Sequence, residues 1–338
     1  MKKIKIGQIG IGHNHGEAKM LAIRKFPELF EVVGYAEENE EWIKDRGNMA
    51  GYRDLPRLSV EEVIEQSDAV LIETDVWNLT ETAMRCIRAG KHIHMDKPAS
   101  GTLAEYKALL DLAKEKGLVV QLGYMYRYNP AIRDLLGRID RGEVGEIYSI
   151  NAEMSTDHPA QYRRWLKNFN GGIMYILGSH LVDLIVYMLG KPNRVTSFLN
   201  HTQKDGVDLA DNTLAVLEYD HALARVYVSS VEVNGWGRRQ FVVSGSNGTA
   251  QIMPIENEIT MYWSDHTITN QAYEDVRELV PLADVPKDSR YDDMVKDFYD
   301  YVMGTRENPF TYDHDYAVQE VLDEIVGGVG FPSKNIHG

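Results

Sequence analysis

The sequence predicts two domains: an α/β domain with a parallel sheet over residues 1–123, and an α+β domain with a large open, mainly antiparallel sheet over residues 124–338. In the first part, apolar strand-like runs alternate with helical segments, which is typical of a parallel sheet covered by helices on both faces. Beyond residue 146 most of the strand-like runs follow one another directly. A chain of 338 residues is long enough to form two such cores.

Composition restricts the class of partner. Acidic residues number 51 against 36 lysines and arginines, which gives a net charge of -15 at neutral pH. Such a charge disfavours binding to nucleic acid or to anionic membranes, so a small-molecule ligand is expected. No segment has the length and apolar character of a membrane span or a signal-peptide core. The single cysteine, Cys86, indicates a reducing compartment, so the sequence predicts a cytoplasmic enzyme with a buried structural thiol.

The first predicted element is a buried strand over residues 4–9, followed by a glycine-rich turn and a helix that begins near Glu17. Gly10 and Gly12 match the first two glycines of G-x-G-x-x-G, whereas His15 stands at the third. Glycines let a backbone approach a pyrophosphate closely, and a helix N-terminus offers N–H groups to an anion. The turn therefore predicts a dinucleotide site, with an ordinary strand-to-helix turn as the alternative.

The second predicted strand, residues 31–36, ends in Glu37. A dinucleotide-binding fold places the carboxylate that accepts the adenosine ribose hydroxyls about 20 residues after the glycine turn, which matches this position. No lysine or arginine occurs in residues 38–41, so a 2′-phosphate would meet only negative charge there and NAD is favoured over NADP. The alternative is a pair of solvated glutamates at a strand end.

The remaining first-half elements continue the alternation of helix and strand. Two capping boxes, residues 59–62 and 102–105, predict helix starts, and the second helix ends at Gly117. Further strands are predicted over residues 69–74, 92–95 and 118–122, with a helix over residues 80–89. Ligands bind at the carboxyl ends of such strands, which are followed here by Thr74-Asp75, Asp96-Lys97-Pro98 and Tyr124.

The second half is predicted to be mainly antiparallel sheet. A helix runs from Pro130 to about Gly137, and Asn247-Gly248 indicates a hairpin. Two helices near residues 291–303 and 315–326 are predicted to be structural. The predicted strands cover residues 147–154, 194–201, 213–219, 222–233, 239–245 and 249–253.

Two side chains have the chemistry that alcohol oxidation requires. Lys97 stands at a strand end and is followed by Pro98, so its ammonium could stabilise a developing alkoxide. His180 lies in the first turn of a predicted helix over residues 178–189, where the helix dipole favours a neutral imidazole that can accept a proton. Taken singly, a surface lysine and a structural histidine are the commoner interpretations.

Three motifs together resemble the glucose-fructose oxidoreductase / inositol dehydrogenase / MocA family. They are the glycine turn, Ala89-Gly-Lys-His-Ile-His-Met-Asp-Lys-Pro98 and Gly171-Gly-Ile-Met-Tyr-Ile-Leu-Gly-Ser-His-Leu-Val-Asp183, which stand in the family's order and spacing. The resemblance extends over nearly the full length and implies an N-terminal Rossmann dinucleotide-binding domain. It also implies NAD or NADP as cofactor, a sugar, polyol or related hydroxy compound as substrate, and a homodimer or homotetramer.

The resemblance and the strand-end positions assign candidate roles. Lys97 and His180 are the implied catalytic residues. The implied contacts to the cofactor are Gly10, Gly12, His13, Asn14, His15, Glu37, Thr74, Asp75 and Lys97. The residues implied near the substrate are Met125, Arg127, Asp157, His158 and Trp236, of which the last three stand in predicted loops and could equally be exposed loop residues. No metal is expected, because the two histidines of the turn stand at alternate positions with no obvious carboxylate partner.

One departure from the family concerns the catalytic group. Ile176 stands four residues before His180, where the family usually has an aspartate that joins the lysine and histidine around the reacting hydroxyl. Asp183 matches a different family position. Tyr175, Asp157 and His158 are the candidates to supply the missing polar group.

Three functions therefore stay open. The leading hypothesis is an NAD(P)-dependent oxidoreductase that transfers hydride between nicotinamide and a secondary hydroxyl of a sugar or polyol. The second is an NAD-dependent glycosidase or lyase that oxidises its sugar transiently, with no net redox change, and Ile176 favours it. The third is a dinucleotide-binding sensor without catalysis.

Overall fold

The chain divides into two units in a computed structural model that describes residues 2–269, 271–283, 286 and 289–330. Unit 1 comprises Met1–Met125 and Pro286–Gln319, and unit 2 comprises Tyr126–Val285 and Glu320–Gly338. The boundary after residue 125 lies within two residues of the one that the sequence predicts. The sequence did not predict that the chain returns to unit 1.

Unit 1 is built on a five-stranded parallel sheet, which confirms the predicted α/β fold. Its strands are β1 (Ile4–Ile9), β2 (Phe30–Ala36), β3 (Ala69–Ile72), β4 (His92–Met95) and β5 (Val120–Leu122). They lie in the order β2-β1-β3-β4-β5, and every neighbouring pair is parallel. The carboxyl ends of β1, β3 and β4 are therefore neighbours at one edge of the sheet.

Five helices occur in this unit before residue 125: α1 (Gly16–Arg24), α2 (Glu40–Arg46), α3 (Val60–Gln66), α4 (Leu79–Arg88) and α5 (Leu103–Lys116). Helices α1, α3 and α4 pack against the strands. Both predicted capping boxes form, with Ser59 and Thr102 as the N-cap residues, and Gly117 ends α5 in the left-handed conformation. Helix α2 was not predicted, because it buries no residue and so carries no apolar periodicity.

Unit 2 contains an eight-stranded sheet. Its strands are β6 (Ile147–Glu153), β7 (Arg194–Asn200), β8 (Asn212–Glu218), β9 (Leu223–Ser229), β10 (Gln240–Gly245), β11 (Gly248–Ile252), β12 (Met261–Asp265) and β13 (Glu278–Leu279). The order is β13-β12-β11-β10-β6-β9-β8-β7, in which only β6 and β9 pair in parallel. The predicted open, mainly antiparallel sheet is thus confirmed, and the predicted hairpin joins β10 to β11.

Several elements of unit 2 differ from the prediction. Strands β12 and β13 were not predicted, and β9 ends four residues earlier than expected because Val231 forms only an isolated bridge to Asp157. The three helices are α6 (Pro130–Asp140), α7 (Ala160–Leu166) and α8 (Ser179–Leu189). A π-helical turn, Met174–Gly178, precedes α8. This turn packs against β9, and α8 packs against both β6 and β9.

The returning segment carries α9 (Asp292–Met303), and α10 (Tyr312–Val326) follows it. Within unit 1, the Tyr299 hydroxyl donates to the Lys2 carbonyl at 2.9 Å and Gln121 Nε2 donates to the Met294 carbonyl at 3.0 Å. These bonds attach the segment to the residues before β1 and to β5. Among the described residues, no helix is both long enough and apolar enough to cross a bilayer.

Candidate functional site

The glycine turn follows β1 directly and requires glycine at its first position. Gly10 has a φ of 86°, and a Cβ there would lie 2.5 Å from the backbone of Thr74. Its N–H donates to the Ala36 carbonyl at 2.8 Å. The ends of β1, β2 and β3 therefore meet at this turn, which only a residue without a side chain can complete.

Gly12 is small for a different reason than the sequence suggested. A Cβ at Gly12 would lie 2.7 Å from Nε1 of Trp42, a residue of α2. The same indole nitrogen donates to Asp75 Oδ2 at 3.2 Å. Trp42 of α2 thus packs against the turn. The same side chain binds Asp75, which was predicted as a cofactor contact.

Glu37 lies at the end of β2, beside the turn. Its Oε2 accepts a hydrogen bond from the Ile11 N–H at 2.8 Å, and its Oε1 accepts one from the Asn39 N–H at 2.8 Å. The structure thus brings the predicted ribose-binding carboxylate and the glycine turn together, and each carboxylate oxygen keeps a second lone pair for a ligand hydroxyl.

Arg46, at the end of α2, also contacts the turn, and the sequence analysis missed it. Its Nη1 donates to the carbonyl oxygens of Ile11, Gly12 and His13 at 3.2, 2.8 and 3.0 Å. Its Nη2 donates to Asn14 Oδ1 at 3.0 Å. The guanidinium stacks 4.4 Å from the centre of the Trp42 ring. The spacing of Trp42 and Arg46, four residues apart in a polar helix, was the only sequence signal.

A buried polar cluster lies below the turn, at the carboxyl ends of β3 and β4. The Lys19 ammonium donates to Glu73 Oε1 at 2.8 Å and to Asp96 Oδ2 at 2.5 Å, and all three side chains are fully buried. The sequence signal was a lysine on the apolar face of α1, whose other buried residues are Gly16, Met20, Ala22 and Ile23.

The histidines of the turn join the same cluster. His13 Nδ1 lies 3.0 Å and His15 Nδ1 3.1 Å from Asp96 Oδ2, and the two rings meet edge to face at 4.9 Å. The structure thus gives the two histidines a carboxylate partner that lies about 80 residues away in sequence.

The environment of this cluster shifts the pKa values of its two carboxyl groups in opposite directions. Burial raises the pKa of Glu73 well above its usual value, although Lys19 opposes that shift. Burial would also raise the pKa of Asp96, but His13, Lys19 and His15 outweigh it and hold that pKa well below its usual value. Burial lowers the pKa of His15 to about 4. Asp96 is therefore the ionised group that the other side chains surround.

Lys97 follows Asp96 and is buried, with 2% of its surface exposed. Its backbone N–H donates to Asp96 Oδ1 at 2.7 Å. The carboxylate that binds Lys19 and both histidines therefore also fixes the backbone of the predicted catalytic lysine. Thr74 lies at the end of β3 in the same unit, where its hydroxyl donates to the Asp75 carbonyl at 3.1 Å.

In unit 2, His180 is buried in α8, and its ring contacts that of Tyr126 at a tilted angle, with the ring centres 5.4 Å apart. The helical chain does not begin at His180, because the π-helical turn Met174–Gly178 leads into α8 without a break. The proposed effect of the helix dipole on His180 is therefore weakened, since it acts mainly within the first turn. Ile176 is 6% exposed in this π-helical turn, so no carboxylate occupies that position.

Arg127 and Asp183 form a fully buried ion pair in unit 2. Arg127 Nε lies 2.9 Å from Asp183 Oδ2, and Nη2 lies 2.6 Å from Oδ1. Arg127 was expected near the substrate, and the structure places it in this pair. Met125, the last residue before the boundary, is 5% exposed.

The three predicted loop residues of unit 2 have different environments. Asp157 is exposed and forms an ion pair with Lys204 at 2.7 Å. His158 stacks on Tyr162 at 4.3 Å, and burial lowers its pKa to about 4. Trp236 is 36% exposed and stacks on the Arg239 guanidinium at 4.0 Å.

Arg239, which the sequence analysis did not identify, connects this region. It donates to the Ser155 carbonyl at 3.2 Å, to Thr156 Oγ1 at 2.5 Å and to Glu256 Oε1 at 2.6 Å. It therefore links the loop of Asp157 and His158 to the turn that carries Trp236.

Comparisons with known proteins agree on the family. The oxidoreductase family with an NAD-binding Rossmann fold matches residues 4–124, and the GFO/IDH/MocA C-terminal domain matches residues 132–251. The NAD(+)-dependent scyllo-inositol 2-dehydrogenase of Bacillus subtilis (strain 168) is 31% identical over 169 residues, 48% of this chain and 49% of that protein. The NADP(+)-dependent enzyme of the same organism is 27% identical over 187 residues, 53% of this chain and 52% of that protein. The matched region thus spans about half the length of these curated relatives.

Solved structures share the fold over nearly the whole chain. Levoglucosan dehydrogenase in complex with NADH and levoglucosan has a TM-score of 0.82 at 22% identity, covering 98% of this chain and 100% of that one. UDP-N-acetylglucosamine 3-dehydrogenase from Acidithiobacillus ferrooxidans has a TM-score of 0.80 at 21% identity, covering 97% and 98%. Because the sequence identities are only 22% and 21%, this similarity shows a shared fold and no more.

Proposed function

The chain belongs to the GFO/IDH/MocA oxidoreductase family, and on that premise we propose that it is an NAD(P)-dependent dehydrogenase acting on a secondary hydroxyl of a sugar, polyol or related compound. The observation that carries the proposal is the arrangement at one sheet edge, where the glycine turn, Glu37 and the Asp96-Lys97 pair follow β1, β2 and β4. Ligands of such sheets bind at this edge. The relatives named as inositol and levoglucosan dehydrogenases support the substrate class.

The residues of unit 1 fit a dinucleotide. A Cβ at Gly10 would clash with the Thr74 backbone, so the turn packs directly against the end of β3. Glu37 is hydrogen-bonded to the Ile11 N–H of the same turn. Gly10, Gly12, the turn residues 13–15, Glu37 and the pair Thr74-Asp75 would hold the cofactor, which supplies a hydride acceptor when bound.

We propose that NAD is preferred over NADP. The Glu37 carboxylate lies at the position that would face the adenosine ribose, and the following residues Glu38, Glu40 and Glu41 add negative charge. Arg46, a cation that contacts the turn, is engaged with the turn carbonyls and Asn14. A 2′-phosphate would therefore be repelled at this site.

We assign Lys97 and His180 the catalytic roles. The Lys97 ammonium would hydrogen-bond the reacting hydroxyl and stabilise its alkoxide character, because its backbone is fixed by Asp96. His180 would accept the hydroxyl proton as general base. Substrate contacts are proposed for Met125, Arg127, Asp157, His158 and Trp236, of which Trp236 offers a partly exposed aromatic face to a sugar ring.

A second candidate is supported by Ile176. Its buried alkyl side chain leaves that position of the π-helical turn before α8 without the family's carboxylate. A reaction in which a sugar is oxidised transiently, a substituent eliminated and the product reduced again would make different demands on the proton-transfer groups. An NAD-dependent glycosidase or lyase is therefore the alternative.

One experiment separates these functions from a non-catalytic sensor. The purified chain is incubated with NAD⁺ or NADP⁺ and a panel of inositols, anhydrosugars, nucleotide sugars and glycosides, while reduced cofactor is followed by absorbance and products by mass spectrometry. Net NADH formation is expected. Product without net NADH would identify the second candidate, and ligand binding without any product would identify a sensor.

Variants test the assigned residues. Lys97→Met and His180→Asn are expected to lower kcat by a factor of about 10²–10⁴, the usual contribution of such groups. Lys107→Ala and His221→Ala, which change exposed side chains outside the site, serve as matched controls. Turnover by His180→Asn equal to that of the unmodified protein would exclude the proposed base.

We also propose a homodimer or homotetramer. Large apolar side chains of unit 2 are exposed on its sheet, among them Tyr148, Phe198 and Leu223, which are between 53% and 56% exposed. Light scattering after size-exclusion chromatography tests this directly. We propose a cytoplasmic location, because the sequence contains a single cysteine, Cys86, whose side chain is buried.

A further inference from the structure

Three potential metal-ligand atoms converge below the glycine turn. Nδ1 of His13, Nδ1 of His15 and a carboxylate oxygen of Asp96 all lie within 4.8 Å of one another. The distances from the two imidazole nitrogens to Asp96 Oδ2 are 3.0 and 3.1 Å. Ligands of a tetrahedral or octahedral first-row metal ion lie roughly 3 Å apart, given bond lengths of about 2.0–2.2 Å.

The fold itself brings these residues together. His13 and His15 follow β1, and Asp96 follows β4, with β3 between the two strands. The backbone of His13 is anchored to β3, since its N–H donates to the Glu73 carbonyl at 3.0 Å. Three neighbouring strand ends therefore hold the ligand atoms in place.

A second carboxylate points at the same atoms. Glu73 is completely buried, and its Oε2 has no hydrogen-bond partner among the described residues. This oxygen lies 3.8 Å from His13 Nδ1. An unsatisfied buried carboxylate oxygen is costly, and a metal ion in the cluster would give it a partner.

The charges of the cluster also favour a cation. Asp96 and Glu73 are two carboxyl groups, and Lys19 supplies one ammonium for both. Lys19 contacts Glu73 Oε1 at 2.8 Å as well as Asp96, so it keeps a carboxylate partner when Asp96 binds another ion. Asp96 can therefore bind a second cation without leaving Lys19 unpaired.

We propose that His13, His15 and Asp96 form a binding site for a divalent first-row transition metal ion, with Glu73 as a fourth ligand or as acceptor for a metal-bound water. Two imidazoles and a carboxylate suit Zn²⁺, Co²⁺, Fe²⁺ and Mn²⁺ rather than Ca²⁺ or Mg²⁺, which prefer oxygen ligands alone. Three protein ligands leave at least one coordination position for a water or another oxygen ligand. The site shares His13 and His15 with the proposed cofactor contacts, but metal binding can be measured without cofactor and without turnover.

The test measures metal binding without turnover. The full chain, free of affinity tag and treated with EDTA, is titrated with Co²⁺ and with Zn²⁺, using visible absorption for Co²⁺ and calorimetry for both ions. One equivalent is expected to bind, with Co²⁺ bands that Zn²⁺ abolishes. Bound Zn²⁺ should also raise the apparent melting temperature.

Variants locate the site. His13→Ala and His15→Ala, which change side chains in a partly exposed turn, are each expected to weaken binding at least about tenfold, since even changes around a ligand typically cost that much. His221→Ala, at an exposed histidine of unit 2, should bind as the unmodified protein does. The proposal would be overturned if the unmodified protein did not bind the metal ion, or if both turn variants bound it as tightly as the unmodified protein does, and Lys19 would then be the cation of the cluster.

Discussion

The Nη1 atom of Arg46 lies 2.8 Å from the carbonyl oxygen of Gly12, and through this contact helix α2 caps the glycine turn. The same atom reaches the carbonyls on either side of Gly12. A turn that is bonded to a guanidinium is pre-organised, so less conformational entropy is lost when a ligand binds to it.

Replacing Arg46 should therefore weaken cofactor binding. Arg46→Ala removes these hydrogen bonds, each to a charged donor, and we expect the Kd for NAD⁺ to rise about tenfold, with a smaller change in kcat. Calorimetry measures the Kd. Arg53→Ala, at an exposed arginine that follows α2, is the matched control. An unchanged Kd for Arg46→Ala would show that the turn keeps its shape without α2.

Substitutions at Gly10 and Gly90 distinguish the cost of a positive φ angle from the cost of a steric clash. Both have positive φ angles, 86° and 76°, but a Cβ at Gly10 would meet the Thr74 backbone at 2.5 Å, whereas one at Gly90 has nothing within 4 Å. Gly90→Ala should cost only about 1 kcal/mol from its backbone conformation. Gly10→Ala should lower the melting temperature more and abolish NAD⁺ binding. Equal melting temperatures would contradict the close approach of the turn to β3.

Replacing either Arg127 or Asp183 alone should destabilise the protein, whereas replacing both together should be tolerated. Arg127→Met or Asp183→Leu alone leaves one charge buried without its counter-ion, which typically costs about 3–5 kcal/mol. The double variant removes both charges and should recover most of that loss. Calorimetric unfolding of all three variants measures the coupling. A double variant whose loss equals the sum of the single losses would show that the two residues are not coupled.

Stability should fall on acidification partly because of His158. Burial lowers its pKa from 6.5 to about 4, so between these values the unfolded chain binds a proton that the folded chain does not. The stabilising contribution of the neutral imidazole is complete above about pH 6.5 and is lost as the pH falls towards 4, to an extent of at most about 3 kcal/mol. His158→Gln should flatten this part of the pH profile of unfolding, and His221→Gln should not. If unfolding free energy depended on pH with the same slope in both variants, the lowered pKa of His158 would be excluded.

Cys86 should be unreactive in the folded protein. Burial raises the pKa of its thiol to about 12, so very little thiolate exists at pH 8. Ellman's reagent should therefore label only a small fraction of Cys86 in the native protein over an hour, and all of it in denaturant. Rapid labelling of the native protein would contradict the burial of α4 against the sheet.

The sequence predicted the order of the elements better than the contacts within the site. Apolar runs and capping boxes located β1 to β5 and helices α3 and α5 because those signals are local. Helix α2 has no apolar face, so Trp42 and Arg46 passed unnoticed. Residues Lys19 and Glu73 stand within otherwise apolar segments, and their meaning depends on a partner more than 50 residues away.

The same limit applies to the candidate catalytic residues. The local motifs predict Lys97 and His180 as candidates, but they do not predict the π-helical turn that extends α8 towards its amino terminus. Hydrophobic periodicity does not distinguish five residues of π-helix from one more turn of α-helix.

The return of Pro286–Gln319 to unit 1 has a consequence for the order of events during protein synthesis. The ribosome completes the five strands of the first sheet early, yet the hydrogen bonds from Tyr299 to Lys2 and from Gln121 to Met294 can form only after nearly the whole chain has emerged. Phe30 must likewise wait for Tyr299, whose ring it meets at 5.8 Å. Unit 1 is therefore expected to reach its final form only after the strands of the larger sheet have been made, and a nascent chain that stops near residue 125 would expose the surface that α9 later covers.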